Sequence, residues 1–515
     1  MPKLPACLLA FALSGSSSAA LAQSHWAALN AQGTLVYGHF KTGDRIADFS
    51  FAGYRAGGVA LPAVTTKLTV APSGKDDTSA IQKAIDEVSK LPLVDGHRGA
   101  VELAPGAFHC SGTLNINASG VVLRGAGETT QGSTITMTGS PHLALEVRGH
   151  VKVDSVGKTT HITDTYVPSG TTSFQVADAS GFRAGDTLLI VKPVTDAWVH
   201  MMGMDILGVR NGKKEHWVDG DLPVRRRIAS VSGNTVTVEV PFTDSIDTKY
   251  LAANSISVTK VEVTGQIAEV GVESLRIVAP ARSVDLGVTP EYDGLKLEDA
   301  VDSWLRSVAF EETTNSVDIG HGVERVTVLQ SSTVQHVPVS SSAKPFDFSC
   351  NGTQILFDRC TGSGDSVFYV ATQRQQQGPV VVLHCRFTGN GHIQPHQRWS
   401  TGLLVDSSEV PGGGIDLMNR GMMGTGHGWA IGWSVVWNSQ AQSFNIQQPP
   451  AAENWSIGNR GEELDEPMPV FGGAAPVPLR QGIVESPNQP VQPPSLYLQQ
   501  LQDRLGPAAL KNIGY

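Results

Sequence analysis

From about residue 260 onward the chain repeats itself in spacing rather than in letters. Short apolar runs recur: SLRIV (274–278), SVAF (307–310), VTVL (326–329), TQILFDRC (353–360), VVVLHCRF (380–387), TGLLVDSS (401–408), SVVWNSQ (434–440) and NWSIGN (454–459). Val308 to Val328 is a step of 20, Leu383 to Val405 of 22 and Trp437 to Ile457 of 20. A unit of that size cannot bury its own apolar face, so it must stack on its neighbours and share one continuous core. No helix of useful length separates the runs, which argues against alternating strand–helix units. With 55 glycines and only 17% charged residues, the composition also favours turns and strands over solvated helices. The expected architecture is an all-β solenoid. Cys360 and Cys385 fall at equivalent places in adjacent runs, as an internal stack would require. With Cys110 and Cys350 they read as small core fillers rather than a disulfide or zinc framework.

Upstream, VAPSGKDDTSAIQKAIDEVSKL predicts one amphipathic helix. Asp76-Asp77-Thr78 is its start, and Ile81, Ala84, Ile85 and Val88 form its apolar stripe. GAVELAPGAFHCSGTLNINASGVVLRGAG follows as short strands broken by glycine turns. This helix with its strands resembles the N-terminal cap and first coils of the pectate-lyase-like superfamily, and DRIADFSFAGYRAGG resembles the lead-in of secreted members. The resemblance covers residues 44–127. It implies a right-handed parallel β-helix and a carbohydrate-active protein, but no single activity, because the superfamily holds lyases, hydrolases, tailspikes and epimerases.

Residues 1–22 read as an export signal: Lys3, the apolar Leu8–Leu13, then Ala20-Leu21-Ala22 as the cleavage site. The expected location is therefore secreted or periplasmic. The remaining divisions are an extended segment (23–70), the cap helix and first coils (71–153), and an inserted small β-domain (154–259). The main β-helix (260–462) and a Pro-rich tail ending in a short helix (463–515) complete the chain. In the insert, hairpin turns are expected at Gly185-Asp186 and Gly233-Asn234. Its middle carries Trp198, His200, Trp217 and the run Arg225-Arg226-Arg227, read either as a solvated loop or as a flap over the groove. A net charge of −10, which loss of Lys3 makes more negative, argues against nucleic acid as a partner. No later stretch is apolar enough to span a bilayer. The expected partner is a polysaccharide, met by a monomer.

Residues 391–438 concentrate planar rings with titratable and cationic groups. Trp399, Trp429, Trp433 and Trp437 lie there with His392, His396, His427, Arg398 and Arg420. Either the tryptophans fill the core, or the stretch grips a ring-shaped polar ligand. On the second reading, β-elimination at a uronic acid needs a cation on the carboxylate, a base for the α-proton and an acid for the leaving oxygen. His396 is assigned as base, Arg398 as carboxylate clamp and His427 as proton partner. Trp399, Trp429, Trp433 and Arg420 are assigned to substrate binding, with Asp406 orienting a neighbour; Trp437 is read as core. Ca²⁺ is an alternative to arginine, with Asp365, Asp406 and Asp416 as oxygen ligands, although no calcium loop is recognisable. Hydrolysis by paired carboxylates is the competing chemistry, with candidates Asp293, Glu298, Glu311, Glu312, Asp365, Asp406 and Asp416. A non-catalytic glycan-binding solenoid is the third reading.

Overall fold

The computed structural model describes residues 22–207, 209–210, 213–214, 217–218, 220–252, 254–337, 343–470 and 477–515. Residues 1–21 of the predicted signal 1–22 lie outside them, as does part of the insert's central loop.

Three parallel sheets wind about a single apolar bore, which makes the chain a parallel β-helix. One inward ladder runs Leu305–Val328–Phe357–Val382–Val405–Val436. A second runs Leu295–Val317–Phe348–Val370–Ile393–Ile415–Phe444. The third sheet passes through Phe310, Thr333, Gly362 and Phe387. The expected repeats are all present as strands, but two registers differ. Val328 pairs with Leu305, not Val308, and Val405 pairs with Val382, not Leu383; Trp437 with Ile457 stands. Val308 lies beyond a corner, beside Leu275.

That corner explains the slip. Ser274, Ser307, Gln330, Arg359, His384, Ser407 and Asn438 all turn through the left-handed region, at φ 45–54°. From Gln330 onward each then presents a small buried residue to the bore: Ser331, Cys360, Cys385, Ser408 and Ser439. Backbone N–H groups of one coil donate to these side chains in the next: Cys360 to Cys385 Sγ (3.3 Å), Cys385 to Ser408 Oγ (3.1 Å), Ser408 to Ser439 Oγ (3.1 Å) and Ser439 to Asn459 Oδ1 (2.7 Å). The cysteine stack is thus one stretch of a polar ladder that satisfies buried donors. All four cysteines of the described residues are free and buried.

The predicted helix spans Thr78–Ser89 and buries the four predicted residues, Ile81, Ala84, Ile85 and Val88, against the first coils. The solenoid begins earlier than expected, because Thr66–Val70 already pairs with Gly99–Leu103. The insert is an antiparallel sheet from Lys152–His161 to Ser257–Thr264, slightly longer than predicted. Its turn at Gly233-Asn234 joins paired strands. The turn at Gly185-Asp186 does not: Ser173–Gln175 pairs with Thr235–Val238, whereas Thr187–Lys192 pairs with Leu222–Ser232 and Ser257–Thr264.

The outer face of the first sheet is covered. Leu356, Val381, Leu404, Val435 and Trp455 point outward into a second apolar core. Ile46 and Phe49 of the N-terminal segment, Trp198 and Trp217 of the insert, and Leu496 and Leu501 of the C-terminal helix Leu496–Leu505 complete it. The outer face of the second sheet carries the polar side chains from which the site is built.

Candidate functional site on the open sheet

Register places Asp293, Asn315, Phe346, Phe368, His392, Gly414 and Ser443 in one row across this outer face. Asn315 Nδ2 donates to Asp293 Oδ1 (2.9 Å), and Phe346 N donates to Asn315 Oδ1 (3.2 Å). Phe346 and Phe368 stack with centroids 5.2 Å apart and planes at 22°. Two cations stand over Phe368: the Arg420 guanidinium at 5.1 Å and the Lys344 ammonium at 5.8 Å from the ring centroid. Burial lowers both, Arg420 to about 10, and Asp416 is the carboxylate that acts on each of them.

His392 is the group best placed for proton transfer. Its Nδ1 lies 2.7 Å from Asp416 Oδ2, and Gln394 donates to the same oxygen. A carboxylate acceptor requires hydrogen on Nδ1, which leaves Nε2 of the neutral ring as the lone-pair nitrogen. The ring lies over Gly414, where a Cβ would come within 2.6 Å of Nδ1. Glycine at 414 therefore makes room for the imidazole. The histidine side chain is 30% exposed and its carboxylate partner 6%. The sequence assignment overlooked this pair. The signal was the coil period: Gly391-His392-Ile393-Gln394 lies on Gly413-Gly414-Ile415-Asp416 at a step of 22.

His396, Arg398, His427 and Arg420 do assemble, beside this row. The His396 and His427 rings meet edge to face at 4.7 Å, and His396 also sits edge-on to Phe346. Arg420 donates to the His396 carbonyl (2.8 Å), and Arg398 donates to Thr425 O (3.0 Å). Burial, with Arg420, His427 and Arg398 around it, pushes His396 down to about 2. A nitrogen so reluctant to take a proton is a poor base, which argues against the role assigned to His396.

The tryptophan assignments are corrected. Trp399, Trp429 and Trp433 are only 3%, 2% and 5% exposed, so none is a platform for a ligand. Trp399 meets Trp198 and Trp217 edge to face, and its Nε1 donates to Asp244 (3.2 Å). Trp429 Nε1 donates to the Met202 carbonyl, and Trp433 packs on Trp455. These rings fasten the insert and the terminal segments to the solenoid. Of the proposed flap, Trp198 and Trp217 are buried and stack on each other at 5.1 Å, so neither is free to face a ligand, and part of its loop lies outside the described residues. Trp437 is core, as expected.

Asp406 is also corrected. It is fully buried on the covered side, where it accepts from Ser495 Oγ (2.8 Å) and Tyr497 N (2.7 Å) at the start of the C-terminal helix. Burial pushes it up to about 6. Asp365, which accepts from Asn390 N, lies at a corner. The three carboxylates considered for calcium are therefore apart, and among the described residues no group of three or more metal-ligating side chains occurs.

Of the hydrolytic candidates, Glu311 pairs with Arg276, and Glu312 holds His336 Nδ1 (2.6 Å) and backbone. Glu298 pairs with Lys296 and Arg148. Asp293 remains, joined by Asp318, which the sequence reading had not considered. Both lie on the open face, and burial raises both above the usual carboxylate range.

No family model matches the sequence, and a search of curated proteins finds no relative. Solved structures with partial likeness include a tailspike protein of E. coli bacteriophage HK620 in complex with a pentasaccharide. It is 10% identical, covers 90% of this chain and 69% of that one, and gives a TM-score of 0.40. PfbA, a surface adhesin of Streptococcus pneumoniae, is 11% identical over 77% and 80%, at 0.35. An iota-carrageenase complexed to iota-carrageenan fragments is 9% identical over 80% and 60%, at 0.32. The fold itself rests on this chain's own strand pairing.

Proposed function

We propose that the protein is a carbohydrate-active enzyme of the pectate-lyase-like superfamily that cleaves a uronate-bearing polysaccharide by β-elimination on the open sheet. The observation that carries this reading is the His392–Asp416 pair, seated over Gly414 beside Arg420 and Lys344. Those two cations share one carboxylate, so the site keeps positive charge for a substrate anion. On binding, they would neutralise the uronate carboxylate and acidify its α-proton. His392 Nε2 takes that proton while Asp416 holds the ring and stabilises the imidazolium. The C–H electrons form the carbon–carbon double bond, the C–O bond breaks, and the leaving glycosidic oxygen takes a proton from the imidazolium or from water. Phe346 offers a half-buried ring for the neighbouring sugar. His396, His427 and Arg398 wall the site, and the Arg398 guanidinium adds to its positive field.

The test is digestion of pectate, alginate, glucuronan and glycosaminoglycans, with and without calcium. Ultraviolet absorbance of an unsaturated product should rise with reducing ends, and both should vanish in His392→Ala. Reducing ends without absorbance would instead support hydrolysis by Asp293 and Asp318. That second reading is favoured by one observation, namely that both carboxyls stand on the open face on adjacent coils, Asp318 in register with Lys296 on the strand that begins at Asp293. Export is part of the proposal, and protein recovered from the periplasm or medium should begin at Gln23. It should run as a monomer in gel filtration with light scattering.

A further inference from the structure

A second concave region lies away from the open sheet. A cleft of about 1150 Å³ separates the insert from the covered side of the solenoid, walled also by Phe51 and Arg55 of the N-terminal segment and Arg504 of the C-terminal helix. Its lining is charged but close to neutral, with seven basic and six acidic side chains. Most are fixed in pairs. Arg225 of the insert reaches Glu324 of the solenoid (2.6 Å), and Lys260 meets Asp186 (2.8 Å). Arg325 forks onto Asp302 (2.7 and 3.0 Å), and Arg55 bonds Glu269 twice (3.0 and 2.7 Å). Arg226, 3% exposed, gives its terminal nitrogens to the carbonyls of Arg225, Pro241 and Gly378, while its Nε–H has no acceptor among the described residues.

The balance of charge selects the ligand. An anion would enter among six carboxylates, and a cation among seven basic groups. A wall of alternating guanidinium and carboxylate groups supplies donors and acceptors side by side, as adjacent sugar hydroxyls require. Val156, Val240, Val261 and Phe51 add apolar surface for the C–H faces of a pyranose. We infer that this cleft is a second, non-catalytic binding site for a neutral oligosaccharide. It anchors the protein to an uncharged glycan while the open sheet works on an acidic one. The inference does not depend on the chemistry of the open sheet, because the two sites share no residue.

Isothermal titration of the full protein with cello-, manno-, xylo- and laminarihexaose, and with hexagalacturonate, tests it. At least one neutral hexaose should bind with Kd of about 1 mM or tighter. That binding should weaken at least ~10-fold in the double variant Arg227→Ala, Glu262→Ala, whose side chains stand at the exposed rim, and be blocked by Thr187→Trp, which fills the cleft. It should be unchanged in His392→Ala. Thermal melts of the variants should match the parent. The inference is overturned if no neutral hexaose binds, if binding disappears only in His392→Ala, or if hexagalacturonate is the ligand displaced by Thr187→Trp.

Discussion

The covered and open sheets are built on the same coils and share one bore, yet their outer faces have opposite fates. On the covered side, outward positions are Leu356, Val381, Leu404, Val435 and Trp455, and three separate segments of the chain bury them. On the open side, outward positions are Asp318, Phe346, Phe368, His392 and Asp416; the two phenylalanine rings stack on each other and His392 pairs with Asp416. A strand apolar on both faces demands a second layer, whereas a strand that alternates leaves one face for chemistry. Tryptophan follows the first rule here and histidine the second.

This contrast predicts that mutations on the two sides fail differently. Trp429→Ala should remove a fully buried anchor of the insert and cost about 3–5 kcal/mol, read as a lower urea midpoint, with any activity loss following unfolding. A stable, inactive Trp429→Ala would move this ring back to the site. Of similar size but opposite kind, His392→Ala should lower turnover by ~10³-fold with no change in thermal midpoint. Asp416→Asn should cost ~10²-fold, since the ring keeps a neighbour but loses its anionic partner. Gly414→Ala should cost ~10-fold, chiefly in kcat, by pushing the imidazole off the sheet.

A change of pH tests the bore itself. Asp347 is 1% exposed, and burial pushes it up to about 7. Its folded value lies above the unfolded one, so its contribution to stability is complete below about pH 4 and is lost as pH rises through 7. Urea midpoints should fall across that window, and Asp347→Asn should flatten the fall. An unchanged slope would place the pH dependence elsewhere.

Much of the fold was legible because it depends on local pattern. The helix Thr78–Ser89, the strand ladder and the Cys360–Cys385 stack all follow from spacing within one or two coils. Registers slipped where a left-handed corner, as at Ser307, carries the next apolar residue, Val308, onto a different sheet. The site was only half legible. Histidines and tryptophans mixed in one stretch look alike whether they face a ligand or a core. What separated them was Trp198 and Trp217, about 200 residues away in sequence, packing on Trp399. His392 and Asp416, by contrast, are one coil apart and were recoverable from the alignment of GHIQ on GGID.

The most direct test of the account is to follow wild-type protein and His392→Ala on uronate polymers, recording ultraviolet absorbance and reducing ends in the same reaction. Both signals should rise together on at least one polymer for the wild type, and both should fall at least ~10²-fold in the variant, with its fold intact. Full activity in His392→Ala, or reducing ends that rise without absorbance, would contradict it.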